Sequence, residues 1–164
     1  MISQPSHDAM LEASQLECLS KGGLLSEHPN FTTTQKVWDA IAQGDFVSGL
    51  DVLTDDVVVD NGPGSGPWRH LEGKDAIVSF AVQFIPFFEE TWKEIGRCIY
   101  ADDSMSIALV HETGKAPSGD VFDNIAIWVS RFNPDGKVDR IWTTDLAHEQ
   151  MEEFWEHNPI EVQR

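Results

Sequence analysis

A chain of 164 residues, 41% hydrophobic and 24% charged, has the length and composition of one folded domain with its own core. Its formal charge of −17, from 28 acidic and 11 basic residues, repels phosphate backbones and anionic lipid heads and so argues against nucleic acid and membranes as partners. No run of about 18 apolar residues occurs and no basic n-region opens the chain, so it reads as cytoplasmic. Cys18 and Cys98 show no CxxC or Cys/His ligand spacing and read as reduced packing residues.

Residues 1–33 read as a leader, with a short helix over 8–20 that stops at Gly22 and Gly23. The domain proper is expected over 34–164. Thr34 is a plausible N-cap for a helix whose apolar face carries Val37, Trp38 and Ile41 as far as Gly44, and Asp45 opens a second helix with Phe46, Leu50 and Leu53. The run DDVVVDN is a strand that ends in Gly62-Pro63-Gly64-Ser65-Gly66-Pro67, which reads as a solvated loop. Asp60, Arg69 and His70 flank that loop as a possible gate, and the absence of a Lys-Ser/Thr ending excludes a phosphate cradle.

Ile77, Phe80, Ala81 and Phe84 then recur at helical spacing, which predicts a long amphipathic helix ending at Pro86 or just before it. Four strands are predicted near 93–100, 105–113, 121–132 and 137–145, with Asn133-Pro134-Asp135-Gly136 as a hairpin turn. Met151, Phe154 and Trp155 mark a terminal helix over 147–156. The fold class is therefore α+β: a strongly curved antiparallel sheet wrapped around helices, which leaves a conical pocket.

Three segments, LTDDVVVDNGPGSGPW, EGKDAIVSF and RFNPDGKVDRIWTTD, resemble the SnoaL-like branch of the nuclear transport factor 2-like superfamily over about residues 34–156. The resemblance implies the cone, and it orients the last two strands so that Asn124, Ala126, Trp128 and Ser130 point inward with Ile141, Thr143 and Asp145. Period-two alternation is then expected to turn His111 and Thr113 inward with Met105, Ile107 and Leu109, while Asn61 sits at the mouth. Steroid-isomerase-like members carry a carboxylate where this chain has Asn61 and a protonated acid where it has Trp128. Members of cyclase type carry an aspartate where it has Thr143. Asp145 lies two residues further along the same strand face.

These residues predict a cofactor-free lyase or isomerase of cyclase or dehydratase type acting on an apolar small molecule. His111 and Asp145 are the candidate catalytic pair, either of which could be the base. Asn61, Asn124, Trp128, Thr143, Ile141 and Thr113 are the candidate substrate-binding residues, and neither a metal nor a cofactor is expected. A non-catalytic pocket or interaction module of the same fold is the alternative. Ile125, Ile127 and Val129 form an outward apolar row, which predicts a homodimer through the outer sheet face.

Overall fold

The computed structural model describes residues 28–160, apart from the side chains at positions 46 and 47. The predicted leader helix over 8–20 and Cys18 lie outside the described residues. In chain order the elements are helix α1 (Pro29–Ala42), helix α2 (Phe46–Gly49) with a 3-10 turn (Leu50–Val52), strands β1 (Leu53–Asn61) and β2 (His70–Glu72), and helix α3 (Lys74–Phe87). Strands β3 (Lys93–Ala101), β4 (Met105–Lys115), β5 (Val121–Phe132) and β6 (Val138–Asp145) follow, and helix α4 (His148–His157) ends the fold. No described helix is long and apolar enough to cross a membrane.

Helix α1 begins six residues before the expected start. His28 caps it, with Nδ1 accepting from the Asn30 N–H, and Pro29 occupies a first-turn position where a missing N–H costs nothing. Thr34 is therefore interior, and its hydroxyl oxygen lies 2.8 Å from both the Asn30 carbonyl and Ser106 Oγ, tying the helix to β4. The expected second helix is only one turn plus the 3-10 turn, because Gly49 interrupts it and the chain must enter β1 at Leu53. Pro86 sits in the last turn of α3, where its missing N–H leaves the carbonyl four residues earlier, that of Val82, without its helical donor, and the helix ends one residue later.

The six strands form one sheet in the order β2-β1-β6-β5-β4-β3. It is not wholly antiparallel: β1 runs parallel to β6, pairing Val59 with Ile141 and Asn61 with Thr143. Strand β2 lies within what read as loop and gate, and its His70 bonds to Asp60 at 2.8 Å. Asp60 is also paired with Arg140, so these charges tie the β2 edge to the sheet. Cys98 on β3 is disulfide-bonded, not the reduced packing residue its sequence surroundings suggested.

Helices α1 and α3 cover the concave face. Trp38 of α1 meets Trp128 of β5 edge-on at 5.5 Å, and Ile77 of α3 packs with Val57, Val59 and Ile141. A second, aromatic core closes the other end, where Trp68, Phe88, Phe122, Phe154 and Trp155 interlock. Phe88 is wholly buried, and its ring occupies the place where a side chain at residue 114 would stand: a Cβ on Gly114 would come within 2.8 Å of it. Phe88→Ala is expected to lower stability by about 3–5 kcal/mol, the usual cost of removing a fully enclosed phenyl ring, as read from urea unfolding.

Candidate functional site

The residues of β5 alternate across the sheet, and its even-numbered side chains face the helices. Both neighbours are locked to it: Ser130 pairs with Ile141 and Trp128 with Thr143 on β6, while Asn124 pairs with Glu112 and Ala126 with Val110 on β4. Residues directly opposite one another point to the same side. The inward set is therefore even-numbered on β4 and β5 and odd-numbered on β6.

A partly open cavity of about 170 Å³ lies between this face and the helices. Its wall is mainly apolar and aromatic. Of the sequence-predicted residues, Asn61, Asn124, Trp128, Ile141, Thr143 and Asp145 line it. Asn61 and Thr143 are already engaged with each other, since the Thr143 hydroxyl donates to Asn61 Oδ1 at 2.6 Å and the Asn61 amide donates to the Trp68 carbonyl. Together they fold the glycine-rich segment back over the cone. That segment is packed rather than solvated: Gly64 and Trp68 are buried, and a Cβ on Gly64 would lie 2.8 Å from Asp145 Oδ2. The flanking Arg69 is held by Glu152 of α4 at 2.8 Å.

His111 does not reach the cavity. It lies on the opposite face of β4, across from Ile125, and its Nε2 is 2.7 Å from Asp123 Oδ1. The expected pairing of His111 with Asp145 is thus replaced by His111 with Asp123. Thr113 shares that outer face and donates to the Phe122 carbonyl, and Met105, Ile107 and Leu109 also point outward, each more than one-third exposed. The physical reason is strand phase. Lys115 stands opposite Val121 across a five-residue loop, which gives β4 the same parity as β5 and turns every expected inward residue of β4 outward.

The same parity brings Glu112 inward, a residue the sequence reading missed. Its carboxyl lines the cavity, the residue is 6% exposed, and no hydrogen bond reaches its side chain among the described residues. Burial pushes its proton affinity up to about 8, with the nearby charges of Asp145 and Glu94 acting in the same direction. Asp145 is likewise raised, chiefly by burial, although the amide of Asn124 donates to its Oδ1 at 2.7 Å and His148 opposes the shift. Glu94, opposite Glu112 on β3, is raised by burial too and pairs with Arg97 at 2.9 Å. Arg97 also binds Asp39 of α1 at 2.7 Å, so this cation is committed beside the cavity and does not neutralise Glu112.

The site that results is an apolar, aromatic cone with two carboxyl groups of raised proton affinity on strands two positions apart, about 10 Å between backbones. Asn124 stands between them, bonded to one and opposite the other. Such an arrangement can take a proton at one point of a small molecule and supply one at another. The five-residue loop between β4 and β5 ties the parity of one strand to that of the other, and it is the strand pairing itself that fixes this loop length.

Residues 34–141 match the sequence profile of the SnoaL-like domain. Among solved structures, the chain is similar to Bal32a from a soil-derived mobile gene cassette, with a TM-score of 0.68 and 19% identity over 77% of this chain and 95% of that one. It is also similar to a candidate polyketide cyclase from Xanthomonas campestris pv. campestris, at TM-score 0.58 and 17% identity over 75% and 94% of the two chains. A candidate isomerase from Bacillus subtilis gives TM-score 0.57 and 18% identity over 80% and 94%. At these identities the likeness shows the curved α+β fold alone. No curated protein sequence matches the chain.

Because folding raises the proton affinity of Glu112 from near 4.5 to about 8, the folded chain holds a proton between those values that the unfolded chain releases. Stability from this group is therefore lost as pH rises through that window. Glu112→Gln removes the dependence, so the melting temperature of the variant is expected to gain on that of the wild type steadily from pH 5 to pH 9. Calorimetry at several pH values reads this; a difference independent of pH would contradict it.

Proposed function

The chain belongs to the SnoaL-like domain family, and we propose that it is a cofactor-free proton-transfer catalyst, a lyase or isomerase of cyclase or dehydratase type, acting on a small apolar carbonyl compound. The observation that supports this reading is the pair Glu112 and Asp145 in one largely apolar cavity, both with raised proton affinity. Two titratable groups facing one ligand from separate strands divide naturally into an acid and a base. Asp145, in contact with the Asn124 amide, is the base. Glu112, protonated below about pH 8, is the acid.

In the proposed step Asp145 takes a proton from the carbon next to the carbonyl while Glu112 donates to the carbonyl oxygen, so that an enol forms without net charge build-up. The enol then returns its O–H proton to Glu112 as the carbonyl re-forms, while the proton held by Asp145 goes to a different carbon, to a neighbouring hydroxyl that leaves as water, or to the oxygen of a second carbonyl that the carbon attacks. Trp128, stacked edge-on against Trp38, and Ile141 shape the apolar end of the cavity that receives the rest of the ligand. His111, engaged with Asp123 on the far face of β4, has no part in this scheme.

The outer face of the sheet supports a second reading. Ile127 stands opposite Leu109, and Val129 opposite both Ile107 and Trp142, giving a partly exposed apolar surface across three strands. We infer that this surface pairs with that of a second copy. Covering it is favourable by about 25 cal/mol per Å². Ile127→Asp is expected to convert a dimer to a monomer in sedimentation; a wild type that is itself monomeric would contradict the interface.

The reaction is tested with a one-ring β,γ-unsaturated ketone, following double-bond migration and α-proton exchange by NMR. The expected rate rises as Asp145 ionises and falls again as Glu112 loses its proton near pH 8. Asp145→Asn should lower the rate about 10²- to 10⁴-fold, and Glu112→Gln should remove the alkaline fall. Binding without exchange at any pH would favour the non-catalytic pocket instead.

A further inference from the structure

The Glu112 end of the cavity has an excess of hydrogen-bond acceptors. Neither oxygen of Glu112 has a hydrogen-bond partner among the described residues, and Asp145 uses only Oδ1, leaving Oδ2 without a donor. Asn124 is 5% exposed and spends its N–H on Asp145, so that its Oδ1 stays buried and unpartnered. The neighbouring donors are committed: the Thr143 hydroxyl and the Asn61 amide already bond to Asn61 Oδ1 and the Trp68 carbonyl. The unpartnered donors in this wall are the indole N–H groups of Trp68 and Trp128 and, while Glu112 keeps its proton, the Glu112 O–H, which is lost when the carboxylate forms.

No Lys, Arg or His is among the residues that line the cavity. Arg97, just behind Glu94, is taken by Glu94 and Asp39. Four acceptor atoms without a donor from the protein, in a wall without a cation, call for a ligand group that brings several N–H bonds and a positive charge. Trp155 and Phe122 line the same space, and aromatic rings attract a cation. The remaining volume, about 170 Å³, holds roughly a dozen water-sized positions, the bulk of a single hydrocarbon ring with a short arm.

We propose that this cavity binds small lipophilic primary amines as their ammonium ions, with the ammonium held by Glu112, Asp145 and Asn124 Oδ1 and the ring in the aromatic cone. This ligand class goes beyond the neutral carbonyl substrate of the proposed reaction and does not depend on turnover. The net charge of −17 adds long-range attraction for such a cation.

Binding of the ammonium requires Glu112 as carboxylate. The groups that face it are Asp145 on β6 and Glu94 on β3, both of which oppose its ionisation, while Arg97 is spent on Glu94 and Asp39. At pH 7 the buried carboxyl is mostly protonated, so each ammonium that binds drives nearly one proton from Glu112 to solvent. Affinity therefore rises from pH 6 to about pH 8.

The test titrates the full chain with cyclohexylmethylamine, cyclohexylmethanol and cyclohexanecarboxylate, following tryptophan fluorescence and the heat of binding in two buffers of different protonation enthalpy. The expected result is an amine bound about tenfold or more tighter than the alcohol, no saturable binding of the carboxylate, and proton release on binding the amine. Glu112→Gln should bring the amine to the level of the alcohol and abolish proton release. Equal affinity for amine and alcohol in the wild type would overturn the proposal, as would an amine preference that survives in both Glu112→Gln and Asp145→Asn, because it would then belong to exposed carboxylates. If Glu112→Gln fails to fold, the wild-type buffer comparison decides alone: an amine bound without proton release overturns it. None of these readouts uses catalysis, so a failed exchange assay and a failed titration are separable.

Discussion

Strand β5 is hydrogen-bonded along both edges, and the identity of every residue that can meet a ligand depends on that double pairing. Once Trp128 stands opposite Thr143 on one side and Ala108 on the other, parity carries through three strands without freedom to slip. A shift of one residue would exchange the whole inner and outer sets. It would put His111 in the cone and Glu112 outside. The observed register is supported by packing, since the small residue Ala108 lies in one cluster with the bulky rings of Trp38 and Trp128.

The chemistry of the cone rests on how little is done to neutralise its carboxyl groups. Asn124 stabilises the charged form of Asp145 with one hydrogen bond, yet burial outweighs it. Glu112 receives no such help, and the closest guanidinium, that of Arg97, is shared between Glu94 and Asp39. Buried carboxyl groups without donors cost stability unless they hold their protons. Their persistence in an otherwise aromatic cavity is the kind of local expense that folds carry at functional positions.

The closure of the cone depends on backbone positions where a side chain would not fit. Gly64 lets the segment after β1 lie against Asp145, and Gly114 leaves room for the Phe88 ring. Phe88 in turn locks onto Phe122 and the rings of α4, so the terminal helix, the glycine-rich segment and the polar end of the cavity form one packed unit. This aromatic end and the carboxyl pair occupy the same region of the fold, which links the stability of the closure to the environment that raises the two proton affinities.

From sequence alone, the α+β class, the strongly patterned third helix and the four long strands were legible, because each rests on local periodicity or on turn chemistry such as that of Asn133 to Gly136. The inward phase of β5 and β6, which set Asp145, Asn124, Trp128 and Thr143 on the cavity face, followed from the family resemblance, since alternation alone gives two faces but not which of them is inside. The parallel pairing of β1 with β6, the short strand β2 and the packed state of the glycine-rich segment are long-range facts that local pattern does not carry. Strand β4 is the instructive case: its large apolar residues Met105, Ile107 and Leu109 suggested an inward face, but a sheet buried by helices on one side can place small residues inward and large ones on a second apolar surface. Only the register with β5 distinguished the two faces, and so tertiary pairing, not residue type, decided that Glu112 rather than His111 meets Asp145 across the cavity.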